Sequence, residues 1–392
     1  MNKLFLFLVF LVFFTTPLES VEIFTNVSVV KLVSVALILV TLLAKKNVFD
    51  IKEPFLIIFL IYTVFTILSF LWSINKEVTF QKSLTTILPN FIVTLIVSFA
   101  IKDREILGKM FMAYVLGCCV AAAFSMYMYT TEFQSFEGDD YRVTVLNQDQ
   151  NELSFLLFFG IISIIYLFKY SVINKIAKGV LLLVPVVFAF VILTTGSRMG
   201  LILLLMLAVV LVFMNFRRGK IIIVIPLILV IGIVFVSLLP DTTTERLFQI
   251  QDQIKSRDLT GRVSIWNLGL SAFETKSAYV LGTGYDSFES LVAEKTGLAL
   301  PAHNTYLCTF IETGAVGFLI YLSMIIYLLF KVYYLIRKGS VFFSLLIIPL
   351  LATMFVLSTN NRRWFFLIGV IIIKLWQFAK EEESYAQVIT DN

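Results

Sequence analysis

A single histidine, His303, and three cysteines are scattered through 392 residues. Cys118 and Cys119 are adjacent in one apolar run and Cys308 lies near another, so no disulfide framework and no metal-ligand spacing can be read from them. Charge is scarce as well. Charged residues make up 15% of the chain, where a soluble globular domain carries about a quarter. The formal net charge of +5 resides largely in short basic clusters between apolar runs, so it is no argument for nucleic-acid binding. Internal repeats and low-complexity linkers are absent.

What the chain has in their place is apolar sequence. Hydrophobic residues are 59% of the total, and they come in blocks that match the ~20 residues needed to cross a hydrocarbon core of ~30 Å. Twelve runs qualify: 3–18, 27–44, 54–72, 84–101, 106–130, 153–168, 179–194, 199–216, 221–239, 311–330, 341–358 and 364–379. Inside lipid each backbone amide must find its partner within its own segment, so these runs predict helices. The expected fold is an all-α membrane protein of about 12 transmembrane helices. Residues 4–14, followed by Thr15, Thr16 and Pro17, also have the length of a signal-peptide core, but no small-residue cleavage site follows and a retained helix is expected.

Basic residues orient the runs. With the N-terminus in the cytoplasm, alternating loops put eighteen lysines and arginines inside, against six in the short outside segments. Six more fall in the long segment 240–301, which translocates regardless of charge. Both termini are therefore expected on the cytoplasmic side. The parts are residues 1–239 with about nine helices, an extracytoplasmic subdomain at 240–301, about three helices in 302–380, and a cytoplasmic tail at 381–392. In the subdomain, 244–255 and 262–273 read as amphipathic helices, the second presenting Val263, Trp266, Leu270 and Phe273 on one face. Gly282 and Gly284, flanking Thr283, mark a turn.

Polar groups at the ends of apolar runs cost free energy unless they pair or meet water. Arg198 follows Thr194-Thr195-Gly196-Ser197, and Arg362 and Arg363 follow Asn360-Asn361; interfacial anchoring is the first reading of the latter pair. Arg262 and Trp266 stand one helical turn apart. His303, in Pro301-Ala302-His303-Asn304-Thr305-Tyr306, is expected at a helix entrance, with Tyr306 on its face at i,i+3. A lone histidine there is more often structural than chemical. Gly314 and Gly317, after Glu312-Thr313, offer a helix break or a close packing contact. Segment 131–152 carries Asp139, Asp140, Arg142, Asn147, Asp149, Asn151 and Glu152. Its paired acids could hold a divalent metal, but with no second ligand cluster a solvated loop is expected. Asn147 and Asn151 could present amides to a sugar. All of these groups, from five separate segments, fall on the non-cytoplasmic side, which points to one shared cavity.

These residues form a familiar series. Thr195-Gly196-Ser197-Arg198, Gly261-Arg262-Val263-Ser264-Ile265-Trp266, Leu281-Gly282-Thr283-Gly284-Tyr285-Asp286-Ser287-Phe288, Ala302-His303-Asn304-Thr305-Tyr306-Leu307 and Glu312-Thr313-Gly314-Ala315-Val316-Gly317 resemble the O-antigen ligase and O-antigen polymerase (Wzy-type) superfamily. Asn147-Gln148-Asp149-Gln150-Asn151-Glu152 resembles its entrance motif. The order and spacing of the pieces over about 145–320 are more specific than any one of them.

The resemblance implies a membrane glycosyltransferase that needs no metal and no cofactor. Its donor would be a glycan on undecaprenyl diphosphate, and its acceptor a second glycan or a lipid A–core, with a chain-length regulator as a possible partner. On this reading Arg198 and Arg262 are diphosphate clamps, since planar guanidinium groups suit a leaving diphosphate. His303 either takes the acceptor proton or only orients the acceptor. Asn304, Tyr306, Asn147, Asn151 and Arg142 are expected to contact substrate. Polymerase is the preferred reading and ligase the alternative. A lipid-linked glycan transporter or flippase is the reading of another class, disfavoured because the halves do not repeat and the polar groups gather at one face.

Overall fold

A computed structural model describes residues 3–19, 21–24, 27–44, 51–132, 149–171, 174–216, 262–271, 273, 276–338 and 341–390, with isolated positions between 225 and 237. The expected run 221–239 and the expected helix 244–255 therefore lie mostly or wholly outside the described residues. So do Asp139, Asp140, Arg142 and Asn147.

The described chain is helical apart from a small antiparallel ribbon that pairs Glu22–Phe24 with Val27–Ser28. In chain order the helices are α1 (Lys3–Thr15), α2 (Val29–Leu43), α3 (Pro54–Leu68), α4 (Lys76–Lys82), α5 (Leu88–Ala100), α6 (Arg104–Glu132), α7 (Gln150–Tyr170), α8 (Lys175–Thr194), α9 (Arg198–Phe216), α10 (Arg262–Leu270), α11 (Lys276–Leu281), α12 (Phe288–Thr296), α13 (Thr305–Arg337), α14 (Ser344–Thr353) and α15 (Arg363–Thr390). Among the described residues, seven helical stretches are long and apolar enough to cross a membrane, and Lys3–Leu18, Val29–Leu43 and Val341–Thr353 are shorter apolar helices. The protein is a multi-pass membrane protein.

Two breaks shape the bundle. A π turn at Ser83–Ile87 joins α4 to α5. Pro89 explains it, because its ring cannot sit over the carbonyl four residues back and it donates no amide hydrogen. The second break is at Gly314 within α13, at φ 62° and ψ −169°. Gly317 packs closely: a Cβ there would lie 2.6 Å from the Phe65 ring. The expected break and the expected contact thus both occur, at different glycines.

Helices in lipid gain no hydrophobic free energy by meeting each other, so close packing must hold them. Gly117 of α6 lies against the α1 backbone so tightly that a Cβ would sit 1.9 Å from the Phe14 carbonyl oxygen. Phe59 stacks on Phe366 at 3.8 Å between ring centroids, and Phe155 meets Trp364 at 4.6 Å. The apolar run of α15 is buried by its neighbours, which makes it a central element of the bundle.

The bundle has two chemically distinct ends. At one, Glu53 accepts from Tyr327 and Gln377, and Arg104 pairs with Glu382 at 2.9 Å. The acidic segment 381–383 belongs to α15 there, with Glu383 paired to Lys338. At the other end lie the starts of α7, α9, α10, α13 and α15. That end carries the polar groups considered next.

Candidate active site

The start of α7 organises this end. Asp149 is its N-cap, with Oδ1 accepting from the Asn151 amide at 2.7 Å and the Glu152 amide at 3.3 Å. An aspartate there satisfies amides that have no partner within the helix. Its Oδ2 faces the Nδ1 of His303 at 3.9 Å. Asn151 accepts from the Ser197 hydroxyl at 2.7 Å, which fastens the turn carrying Arg198 to the same helix end. The turn closes through Gly196 at φ 62°, and half-buried Arg198 is the first residue of α9.

His303 is not in a helix. It adopts φ 47°, and extended Asn304 after it caps α13 by accepting from the Leu307 amide at 3.1 Å. A left-handed backbone is unfavourable for a side-chain-bearing residue and persists only where surrounding structure imposes it. Here Trp266 donates its indole N–H to the Ala302 carbonyl at 2.8 Å, while the Thr305 amide donates to the Met354 carbonyl at 2.8 Å. These bonds hold the segment on both sides of the histidine. The first also brings α10, and Arg262 at its start, against the same place.

The charges of Asp149 and Arg262 both act on His303, and that of Asp149 acts on Arg262. Burial lowers the His303 pKa most; Asp149 opposes that, and Arg262 adds to the lowering. Burial likewise lowers Arg262, again opposed by Asp149. The arrangement is a neutral imidazole beside one carboxylate and one guanidinium. Chemically it can accept a proton and stabilise a nearby anion.

Behind these three lies a scaffold of buried polar groups. Glu152 is buried, accepts from the Trp364 indole at 2.9 Å and pairs with Arg362 at 3.2 Å. That carboxylate holds the Arg362 guanidinium above its usual range. Arg363 points inward, donating to Asn90 at 3.1 Å, Ser34 at 2.6 Å and the Val30 carbonyl at 3.2 Å. Neither arginine is the snorkelling anchor expected of it. The turn 354–362 packs into the bundle, so Arg363 is buried among protein partners and Arg362, still partly exposed, is held by Glu152.

Glu312, also buried, accepts from Asn360 at 3.0 Å and from the Phe288 amide at 3.3 Å. The break at Gly314 has its counterpart here. Amides of Thr283 and Gly284 donate to the carbonyls of Ile311 and Glu312 at 3.0 and 2.9 Å. Asp286 reaches Lys82 at 3.5 Å and Asn361 at 3.4 Å, and burial still leaves its carboxyl above the usual range.

Residues 182–322 match the family model described as Wzy_C, O-antigen ligase. The likeness to O-antigen ligases thus covers about a third of the chain. No curated protein matches the sequence. The Wzy_C segment contains Arg198, Arg262, His303, Asn304, Tyr306 and Glu312; the α7 end and the turn 354–362 lie outside it.

Within this O-antigen ligase-type segment and around it, the expected site residues divide into groups. Arg262 and His303 come together, and Arg198 joins the same helix end through Ser197. Asn304 serves as a helix cap, and Asn151 accepts from Ser197. The Tyr306 hydroxyl donates to the Leu351 carbonyl at 3.2 Å, its ring packing on Phe355. The expected helical pairing of His303 with Tyr306 fails because α13 starts after the histidine. Of the face expected on α10, Val263 and Trp266 are half-buried and Phe273, just past the helix, is buried, but Leu270 is exposed, and half-buried Ile265 and Leu268 pack on the same cluster as Phe273. The sequence pattern places Asp149 and Glu152 among the members of a polar loop. Both carry a signal: aspartate shortly before an apolar run suits an N-cap, and an acid directly at the start of the run must be paired if the helix end is buried.

Proposed function

We propose that the protein is a glycosyltransferase with about twelve membrane crossings. It transfers a glycan from undecaprenyl diphosphate at the extracytoplasmic face, in surface polysaccharide polymerisation. The observation carrying the proposal is the meeting of Asp149, Arg262 and His303 at one bundle end, two of them within the Wzy_C match. In the reaction an acceptor hydroxyl oxygen bonds to the anomeric carbon as that carbon's bond to the phosphate oxygen breaks. The diphosphate leaves with the bonding electrons and the hydroxyl proton goes to a base.

His303 suits the base. Its Nδ1 faces Asp149, so Nε2 is the nitrogen turned to the acceptor, and burial keeps the ring neutral near pH 7. Asp149, 3.9 Å from Nδ1 and so beyond hydrogen-bond reach, acts on the ring through its charge, raising the His303 pKa against burial. Arg262 and Arg198 meet the negative charge that grows on the leaving diphosphate. The family model's description favours a second reading, a ligase that moves finished glycan to a lipid A–core. Deletion separates the two: single repeats on the acceptor mark a lost polymerase, whereas long lipid-linked chains that never reach it mark a lost ligase.

Transfer in vitro tests the site, using purified protein, synthetic undecaprenyl-diphosphate glycan and acceptor, with and without chelator. His303→Ala is expected to lower kcat by about 10²–10⁴-fold, the usual contribution of a general base. Unchanged turnover in that variant would remove the base role. Turnover abolished by chelator would remove the metal-free mechanism.

A further inference from the structure

A groove of about 360 Å³ runs between α9 and α14. Ile202, Leu205 and Val209 form its wall on α9, and Leu345, Ile348 and Pro349 its wall on α14. The one polar side chain in the lining, Ser344, gives its hydroxyl to the Val341 carbonyl at 2.6 Å, so the groove suits a hydrocarbon occupant. Any exposed apolar face of a membrane protein meets lipid, and apolarity alone names no occupant. What distinguishes this groove is where its walls lead. On α9, Ile202, Leu205 and Val209 stand four, seven and eleven residues after Arg198, on the helix face that Arg198 begins. At a rise of 1.5 Å per residue they lie about 6 to 16 Å along the axis from it. On α14, the residue after the last turn is Met354, whose carbonyl accepts the Thr305 amide at 2.8 Å, two residues past His303. The Leu351 carbonyl accepts from the Tyr306 hydroxyl in the same place. One wall therefore rises to Arg198 and the other to the segment that carries His303.

We propose that this groove seats the isoprenoid chain of the lipid diphosphate donor, with the units nearest the diphosphate lying between α9 and α14. The inference rests on the transferase reading, which names such a donor but gives its chain no place. With the diphosphate at the head of α9, the chain esterified to it has to enter the hydrocarbon layer, and the Arg198 face of α9 is the direct line into it. The volume is within the ~300–1,000 Å³ typical of ligand pockets, so the groove takes part of the chain and leaves the rest in the bilayer.

The test uses purified full-length protein and one glycan carried either on undecaprenyl diphosphate or on the short-chain geranyl diphosphate. Leu205→Trp and Ile348→Trp fill the groove from two exposed positions. Each is expected to raise KM for the undecaprenyl donor about tenfold at unchanged kcat, because contacts made equally in the ground and transition states act on KM. With the geranyl donor kcat/KM is expected to stay at the wild-type value. Leu319→Trp, at an exposed position of α13 outside the groove, should change neither. Unchanged KM for the undecaprenyl donor, or an equal loss with both donors, would overturn the assignment. Retention of undecaprenyl diphosphate and of phosphatidylglycerol by delipidated protein, read by native mass spectrometry, separates the groove from the chemistry. If neither donor is turned over, yet wild type holds the isoprenoid diphosphate and both groove variants lose it, the transferase reading fails and the groove stands. Wild type that holds phosphatidylglycerol as firmly as the isoprenoid diphosphate, or groove variants that lose both alike, would show an ordinary lipid-facing groove and overturn the assignment.

Discussion

At the scale of single residues, the proposed chemistry depends on how burial, Asp149 and Arg262 set the protonation of His303. His303 is held below its ordinary value of about 6.5. The unfolded chain then takes up the proton first as pH falls. Stability from this group is present above about 6.5 and declines below it. If neutral imidazole is the base, the acid limb of kcat/KM also lies below about 6.5. Asp149→Asn keeps a capping oxygen on α7 but removes the charge that raises the His303 pKa, so the limb is expected to move to lower pH while the rate falls. Arg262→Gln removes a charge that lowers it, and the limb is expected to move up. Acid limbs coinciding in wild type and both variants would dissociate His303 from the rate profile.

At the scale of elements, helix ends and turns carry the site, and buried pairs fix their positions. Arg362→Ala leaves the buried Glu152 carboxylate without its cation. That is expected to cost about 2 kcal/mol, less than a fully buried pair because Arg362 is partly exposed, and to appear as a lower melting temperature. Adding Glu152→Gln should recover most of the loss, since a glutamine can still accept from Trp364. A double variant no better than the single one would show that the pair is not what holds the turn. Gly314→Ala probes the broken helix. Its Cβ would sit 2.4 Å from the Gly282 amide nitrogen at a left-handed φ, so the pairing of Thr283 and Gly284 with α13 should be lost. We expect a destabilised protein with its transfer activity reduced more than by Gly179→Ala, at a glycine with open space around it.

At the scale of the molecule, the alternating helices put every proposed reacting group at one end. Single-cysteine labelling in intact cells checks which end faces out. In a background without the native cysteines, Lys295→Cys is expected to react with a membrane-impermeant maleimide. Lys338→Cys should react only after permeabilisation. The reverse pattern would place the proposed site in the cytoplasm.

Much of this was legible from composition. Apolar runs of bilayer length can only become helices, and the bias of the basic residues states an orientation, because both follow from local transfer free energies. The motifs around Arg198, Arg262 and His303 could be recognised for a similar reason: each is a short stretch of chain with its own residue pattern. Contacts between distant segments were not readable in that way. Asp149 facing His303 joins residues 154 apart in sequence, and Glu152 meeting Arg362 joins residues 210 apart. Such pairings depend on helix register and crossing, which no single segment encodes. Sequence by itself determined that the chain crosses a membrane several times as helices, and it singled out the histidine and arginines as candidates. Only the tertiary structure decided which carboxylate faces that histidine, which arginines turn inward, and that α13 must unwind at Gly314 to receive the 283–284 strand of backbone.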